Sequence, residues 1–293
     1  MNLSLKNDGY KSEGDLENLN EAKVRTYTIA AEDELSIKNR LSISLGGIFG
    51  TFRQTHIDKS ISVFDAQIVL GYKIKRDIVA HVLVAQRTRF PTLREFYRKR
   101  YGNPNLKEQK AGNYELGIKI GNPTKSQADL AFFLSDLDGL IERKTSRSIY
   151  ENLQRATLKG VEFSSGGWIS NNLFGRIGYT YLDADEVLSN GLSRPLRNRP
   201  KHTAGLELRY RFPFNTTLNL NGIYVTEVFD YDDNENLYRL PNYFVLNAKI
   251  SQKLMREVDA YVAVSNITDE NYEHRLGFPR EGRTGRLGIN IEF

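Results

Sequence analysis

The sequence contains no cysteine and no long apolar run. The first absence excludes a disulfide framework and thiolate metal sites, and it fits export through an oxidising compartment. The second excludes a membrane-spanning helix, because even the longest uncharged stretches carry Ser, Gly or Asn. The opening stretch, residues 1–23, is polar and acidic and lacks the basic and apolar regions of a signal peptide. The four histidines, His56, His81, His202 and His274, stand at no metal-ligand spacing, so neither a metal site nor a cofactor is expected. Serine and aspartate are plentiful, but no motif orders them into a nucleophile and base, so the chain does not read as an enzyme. RNP, zinc-finger and helix-turn-helix signatures are missing too. With 41 basic residues against 36 acidic ones, the net charge of +5 describes a mixed, solvated surface and no nucleic-acid partner.

What the chain does have is alternation. In its last eleven residues Leu287, Ile289, Ile291 and Phe293 fall on one face, and Arg286, Gly288, Asn290 and Glu292 on the other. A final strand that is apolar outside, polar inside and closed by an aromatic is how outer-membrane β-barrels finish. The 16 tyrosines and 15 phenylalanines suit the aromatic girdles of such a barrel. Further upstream, Phe64, Ala66, Ile68, Leu70 and Tyr72 oppose Asp65, Gln67, Gly71 and Lys73. Leu116 and Ile118 oppose Glu115 and Lys119, and Leu246 opposes Lys249. Strand 127–138 is blurred, because Phe133 and Leu137 fall on the polar side. A large soluble all-β domain with one buried face shares the alternation, but charged inner faces on so many strands would leave its interior wet.

The pattern predicts about thirteen strands, near 22–31, 36–50, 61–74, 77–87, 112–121, 127–138, 157–169, 172–183, 200–211, 216–228, 242–252, 257–266 and 283–293. Short connections, Glu32–Glu34, Lys75–Arg76, Asn122–Thr124, Ser170–Asn171, Pro213–Asn215 and Lys253–Arg256, alternate with long ones near 51–60, 88–111, 139–156, 184–199, 229–241 and 267–282. That rhythm matches short periplasmic turns and long extracellular loops. The expected fold is therefore an all-β, antiparallel meander barrel spanning a membrane. Residues 1–21 read as a polar N-terminal segment, part of an extracellular loop, and residues 22–293 as the barrel portion.

Several motifs carry a family likeness. Arg89-Phe-Pro-Thr-Leu-Arg-Glu-Phe-Tyr97, Gly102-Asn-Pro-Asn-Leu-Lys-Glu-Gln-Lys110 and Asn113-Tyr-Glu-Leu-Gly117 resemble the central barrel of TonB-dependent outer-membrane receptors. So do Lys159–Phe163, Tyr179–Ala184, Asn198–His202, Ser265–Tyr272 and Gly277–Thr284, in the same order over residues 60–293. Glu108 stands where the family usually has proline. The likeness runs toward the cobalamin and catecholate-siderophore branch. It implies a 22-stranded barrel around a plug, of which this chain would hold the C-terminal strands, with neither plug nor TonB box. It also implies location in the outer membrane of a Gram-negative bacterium and import of a metal–siderophore complex or cobalamin. The implied partners are outer-membrane lipid and lipopolysaccharide, the barrel-assembly machinery, and TonB through a plug only. A truncated remnant, or a small passive barrel without energised transport, is the alternative.

Two groups of residues are singled out. Arg94, Phe96, Tyr97, Arg98, Arg100 and Tyr101 crowd the 88–111 loop. Arginine forks hold anions and aromatic rings stack on planar ligands, so the likeness assigns them to ligand contact; the other reading is a solvated loop facing lipopolysaccharide phosphates. Leu287, Ile289, Ile291 and Phe293 resemble the signal read during barrel assembly, besides closing the sheet as its last strand.

Overall fold

The computed structural model describes residues 2–10, 22–54, 59–122, 125–145, 147–153, 155–188 and 190–291. Its first strands are β1 (Asn2–Tyr10), β2 (Ala22–Ile37), β3 (Leu41–Gln54), β4 (Lys59–Lys75) and β5 (Ile78–Arg89). A short helix, α1 (Leu93–Tyr97), precedes β6 (Gln109–Asn122) and β7 (Ser126–Asp138). Two small loop strands, β8 (Ile141–Glu142) and β9 (Glu151–Asn152), lead to β10 (Arg155–Trp168) and β11 (Leu173–Val187). Then come β12 (Ser193–Pro195), β13 (His202–Arg211) and β14 (Thr216–Thr226). The loop strands β15 (Val228–Tyr231) and β16 (Leu237–Leu240) precede β17 (Tyr243–Met255), β18 (Val258–Ser265) and β19 (Thr284–Ile291).

All the long strands join one antiparallel sheet in sequence order, fourteen in a row, with β12 attached to the outer end of β11. Loop ribbons β8–β9 and β15–β16 stand apart from it. The expected meander is present, with one strand more than expected. The extra strand is β1, which pairs in register with Ala22–Ala30; residues 2–10 are sheet and not loop. A polar, glycine-containing strand has little periodicity to betray it, and its pairing comes from the neighbouring strand. An even count puts the start of β1 and the end of β19 toward the same end of the sheet, as in bacterial barrels.

The first expected turn is also displaced. Glu32–Glu34 lie inside β2, and Glu32 accepts a hydrogen bond from the Ser44 hydroxyl at 3.1 Å. The chain reverses at Lys38 and Asn39 instead, both at positive φ, closed by Arg40 N–H to the Ile37 carbonyl at 3.1 Å. Two consecutive left-handed residues make a type I′ turn, whose twist matches that of the flanking strands. The 51–60 connection is shorter than expected, since β3 and β4 stay paired out to Gln54 and Lys59. The expected turn residues 123–124 and the terminal Phe293 lie outside the described residues.

The two faces separate as the sequence predicts. Leu116 is 56% exposed on the outer face, with Val82 and Phe132 opposite it on either side. Glu115 and Lys119 share the inner face with His81, whose Nε2 meets Glu115 Oε1 at 2.8 Å. Outward aromatics Tyr27, Phe49, Phe64, Tyr114, Tyr224 and Phe244 lie toward the long-loop ends of their strands, and Tyr72, Phe212 and Phe214 at or near the short turns. Among the described residues, packed cores lie where long loops fold over the inner mouth: Val24, Phe52, Phe96, Leu106 and Ile141 form one, Val225, Val228, Leu240, Tyr243 and Val245 another. Leu137 points inward because it packs on a third, of Leu140, Leu153, Ala156 and Leu196.

Phe133 points inward because Gly160 leaves room for its ring. A Cβ at Gly160 would collide with the Tyr181 carbonyl oxygen and approach the Phe133 ring to 2.8 Å. Gly160→Ala is therefore expected to cost about 1–3 kcal/mol through overpacking, read as a lowered unfolding midpoint. An unchanged midpoint would show that the sheet yields freely there.

Candidate functional site

The long connections converge at the loop end of the sheet. Helix α1 begins with a capping box: Thr92 Oγ1 accepts from Glu95 N–H at 3.3 Å, and the Glu95 carboxylate accepts from Thr92 N–H at 2.7 Å. Arg89 grips the same carboxylate at 3.0 and 3.1 Å. The helix thereby drives Phe96 into the first core, 1% exposed, near Phe52, which stacks on Phe90 at 4.7 Å.

Beside this anchor lies a cleft of about 700 Å³ built from five connections. Arg98 and Tyr101 come from the first, Arg143 and Tyr150 from the second, Arg197 and Arg199 from the third, Asp230 and Tyr231 from the fourth, Arg275 and Phe278 from the fifth. Arg197 is the clasp. It donates to the Asp230 carboxylate through Nε at 2.9 Å and Nη2 at 2.5 Å, and to the carbonyls of Arg143 and Lys144 at 2.8 Å each. Asp230, 1% exposed, also accepts from the N–H groups of Tyr231 and Leu276. One ion pair thus joins four connections.

Arg199 meets Glu142 at 3.0 Å, yet burial pushes the Glu142 carboxyl up, the arginine only opposing that rise. Arg143 sits 3.9 Å over the Tyr101 ring and donates through Nε to the Ser148 carbonyl at 2.9 Å. Burial lowers its pKa, but a guanidinium stays charged. Its Nη2 is buried without a hydrogen-bond partner, and so is Asn198 Oδ1 in the same cleft. Among the described residues Arg98, Arg143 and Arg275 pair with no carboxylate. A cleft with uncommitted guanidiniums beside open aromatic rings suits an anionic ligand with planar groups.

Of the six loop residues expected to contact a ligand, Arg98 and Tyr101 line the cleft. Phe96 belongs to the core, and Tyr97 packs against it, its hydroxyl pKa raised by that burial. Arg94 is exposed on α1, and Arg100 stacks 5.5 Å from the Tyr101 ring, neither lining the cleft. Arg143, Tyr150, Arg197 and Arg275 were not anticipated, because single arginines in separate loops give no local signal. Leu287, Ile289 and Ile291 stand exposed on the outer face of β19.

The family model described as "TonB dependent receptor-like, beta-barrel" matches residues 4–267. The chain belongs to this family. Its relatives are transporters and receptors of the Gram-negative outer membrane, not enzymes, and that membrane is where this barrel fold sits. The chain is 24% identical over 280 residues to the vitamin B12 transporter BtuB of Photobacterium profundum, covering 90% of this chain and 44% of that protein. The siderophore receptor PiuA from Acinetobacter baumannii shares the fold with a TM-score of 0.74 at 17% identity, over 92% of this chain and 43% of that one. The ferripyoverdine receptor of Pseudomonas aeruginosa, solved with ferripyoverdine bound, aligns with a TM-score of 0.75 at 17% identity, over 93% and 39%. The chain spans less than half the length of each of these relatives. In outer-membrane barrels the longer loops are the extracellular ones.

Proposed function

We propose that this barrel portion serves an outer-membrane receptor that captures a metal–siderophore complex in the loop cleft and imports it with energy from TonB. The carrying observation is the cleft's three arginines that pair with no carboxylate among the described residues, set beside Tyr101, Tyr150 and Phe278. Ferric catecholates are anionic and carry aromatic rings, which is the chemistry such a surface holds. Cobalamin is the second reading, favoured by the match to a vitamin B12 transporter over most of the chain. TonB would act through a plug domain, lipopolysaccharide would surround the outer face, and the apolar face of β19 would be read by the barrel-assembly machinery. A truncated remnant or passive barrel is the reading left if no energised uptake exists.

The test is binding of radiolabelled ferric catecholate to outer membranes containing the chain, with cyanocobalamin as competitor. Arg143→Ala is expected to weaken binding about tenfold, the range of a charge-assisted contact in a desolvated site. Equal binding by Arg143→Ala and Tyr101→Ala would remove the cleft from the ligand path. Displacement by cyanocobalamin at low concentration would select the second reading, and TonB-independent uptake the passive one.

A further inference from the structure

One carboxylate of the cleft is placed unlike the rest. Among the described residues the cleft is lined by five arginines, Arg98, Arg143, Arg197, Arg199 and Arg275, and four carboxylates, Glu142, Asp230, Asp232 and Asp233. Asp230 has Arg197, and Asp233 has Arg147 at 2.8 Å. Asp232 accepts from the Asn236 side-chain amide and backbone N–H, at 2.9 Å each, which holds it below the usual carboxylate range. Glu142 is buried, 18% exposed, and register sets it directly opposite Glu151 in the β8–β9 ribbon. Burial pushes its carboxyl up; Arg199 and Arg197 oppose the rise, and Glu186 adds to it. Glu151 and Glu186 already hold cations of their own, Lys144 at 2.9 Å and Arg194 at 2.6 Å. Arg199, for its part, is lightly held. Besides Glu142 it meets the Asn198 carbonyl at 3.4 Å, whereas Arg197 is fixed by Asp230 and two carbonyls.

We propose that the Glu142–Arg199 pair is an acid-operated latch of the cleft: a proton taken up by Glu142 frees Arg199 for an anionic ligand. The latch rests on the capture reading above and regulates that same site. A neutral carboxyl keeps a hydrogen bond but loses the Coulomb attraction that held the guanidinium. With five arginines against four carboxylates, neutralising one carboxylate doubles the net positive charge of the lining. Proton uptake and anion binding are then linked, each strengthening the other by the same factor. His274, on the fifth connection, also charges in acid, burial and then Arg280 holding it below its ordinary value. Its contribution survives replacement of Glu142, which separates the two.

The full chain, refolded in uncharged detergent, is titrated with pyrenetetrasulfonate, a planar anion whose charge is constant across the range. Affinity should rise about fivefold or more from about pH 7.5 to about pH 5. Glu142→Gln should bind at the higher pH as tightly as the unaltered chain does at the lower, and keep only the response of His274. Arg199→Ala should lose the greater part of the gain. A full pH response in either variant would overturn the latch, and Arg199→Ala decides alone should Glu142→Gln fail to fold. Binding that Arg143→Ala weakens but pH leaves unchanged would sink the latch and spare the capture reading. Binding indifferent to Arg143→Ala at both pH values would sink the two together.

Discussion

Arg197→Ala is expected to cost about 3–5 kcal/mol, because it leaves the Asp230 carboxylate buried without its counter-charge. The loss should be felt in the loops rather than the sheet. Arg197 also holds the carbonyls of Arg143 and Lys144, so its removal frees the second connection from the third and fourth. Limited proteolysis of the loop end should accelerate, while heat-modified mobility of the barrel persists. Asp230→Ala should be milder, since the freed arginine, 16% exposed, can turn toward the open cleft. Equal proteolytic rates for Arg197→Ala and the unaltered chain would mean that the three hydrophobic clusters alone hold the loops.

Leu116→Arg is expected to cost about 2–4 kcal/mol, the penalty for a cation near the bilayer midplane. Leu116 is flanked on its own strand by Tyr114 and Ile118 and across the sheet by Val82 and Phe132, so apolar neighbours surround it on every side. One residue away, Glu115 faces the interior. Cysteine at 115 should react with a charged, water-soluble maleimide in intact membranes, and cysteine at 116 should not. Labelling of both would contradict the assignment of faces.

The strands were legible because their signal is local. Period-two alternation needs only the residues of one strand, so the alternating runs 61–74, 112–121 and 242–252 end within a few residues of the bounds of β4, β6 and β17. Where the local signal is weak, pairing with the neighbouring strand decides. Glu32–Glu34 look like a turn by composition, but β3 keeps them paired and the reversal waits for Lys38 and Asn39. β1 has no clear apolar face of its own, and only pairing with β2 defines it. Phe133 looks misplaced in its own strand, and only Gly160, across from it on β10, accounts for its direction.

By itself, then, the sequence determined the meander, the two faces and the family, because each follows from residue spacing or from motifs in one order. The cleft was decided by tertiary structure alone. Arg98, Arg143, Arg197 and Arg275 are scattered over four separate connections, and only the curling of neighbouring strands brings their loops over one mouth. The same folding took Phe96 out of the ligand surface and into the core, since a ring between Val24, Phe52 and Leu106 gains more by burial than by facing water. Which arginines lack a carboxylate is likewise a property of the assembled loops: Arg197 and Arg199 find Asp230 and Glu142, and Arg143 is left with the Ser148 carbonyl and the rings of Tyr101 and Tyr150.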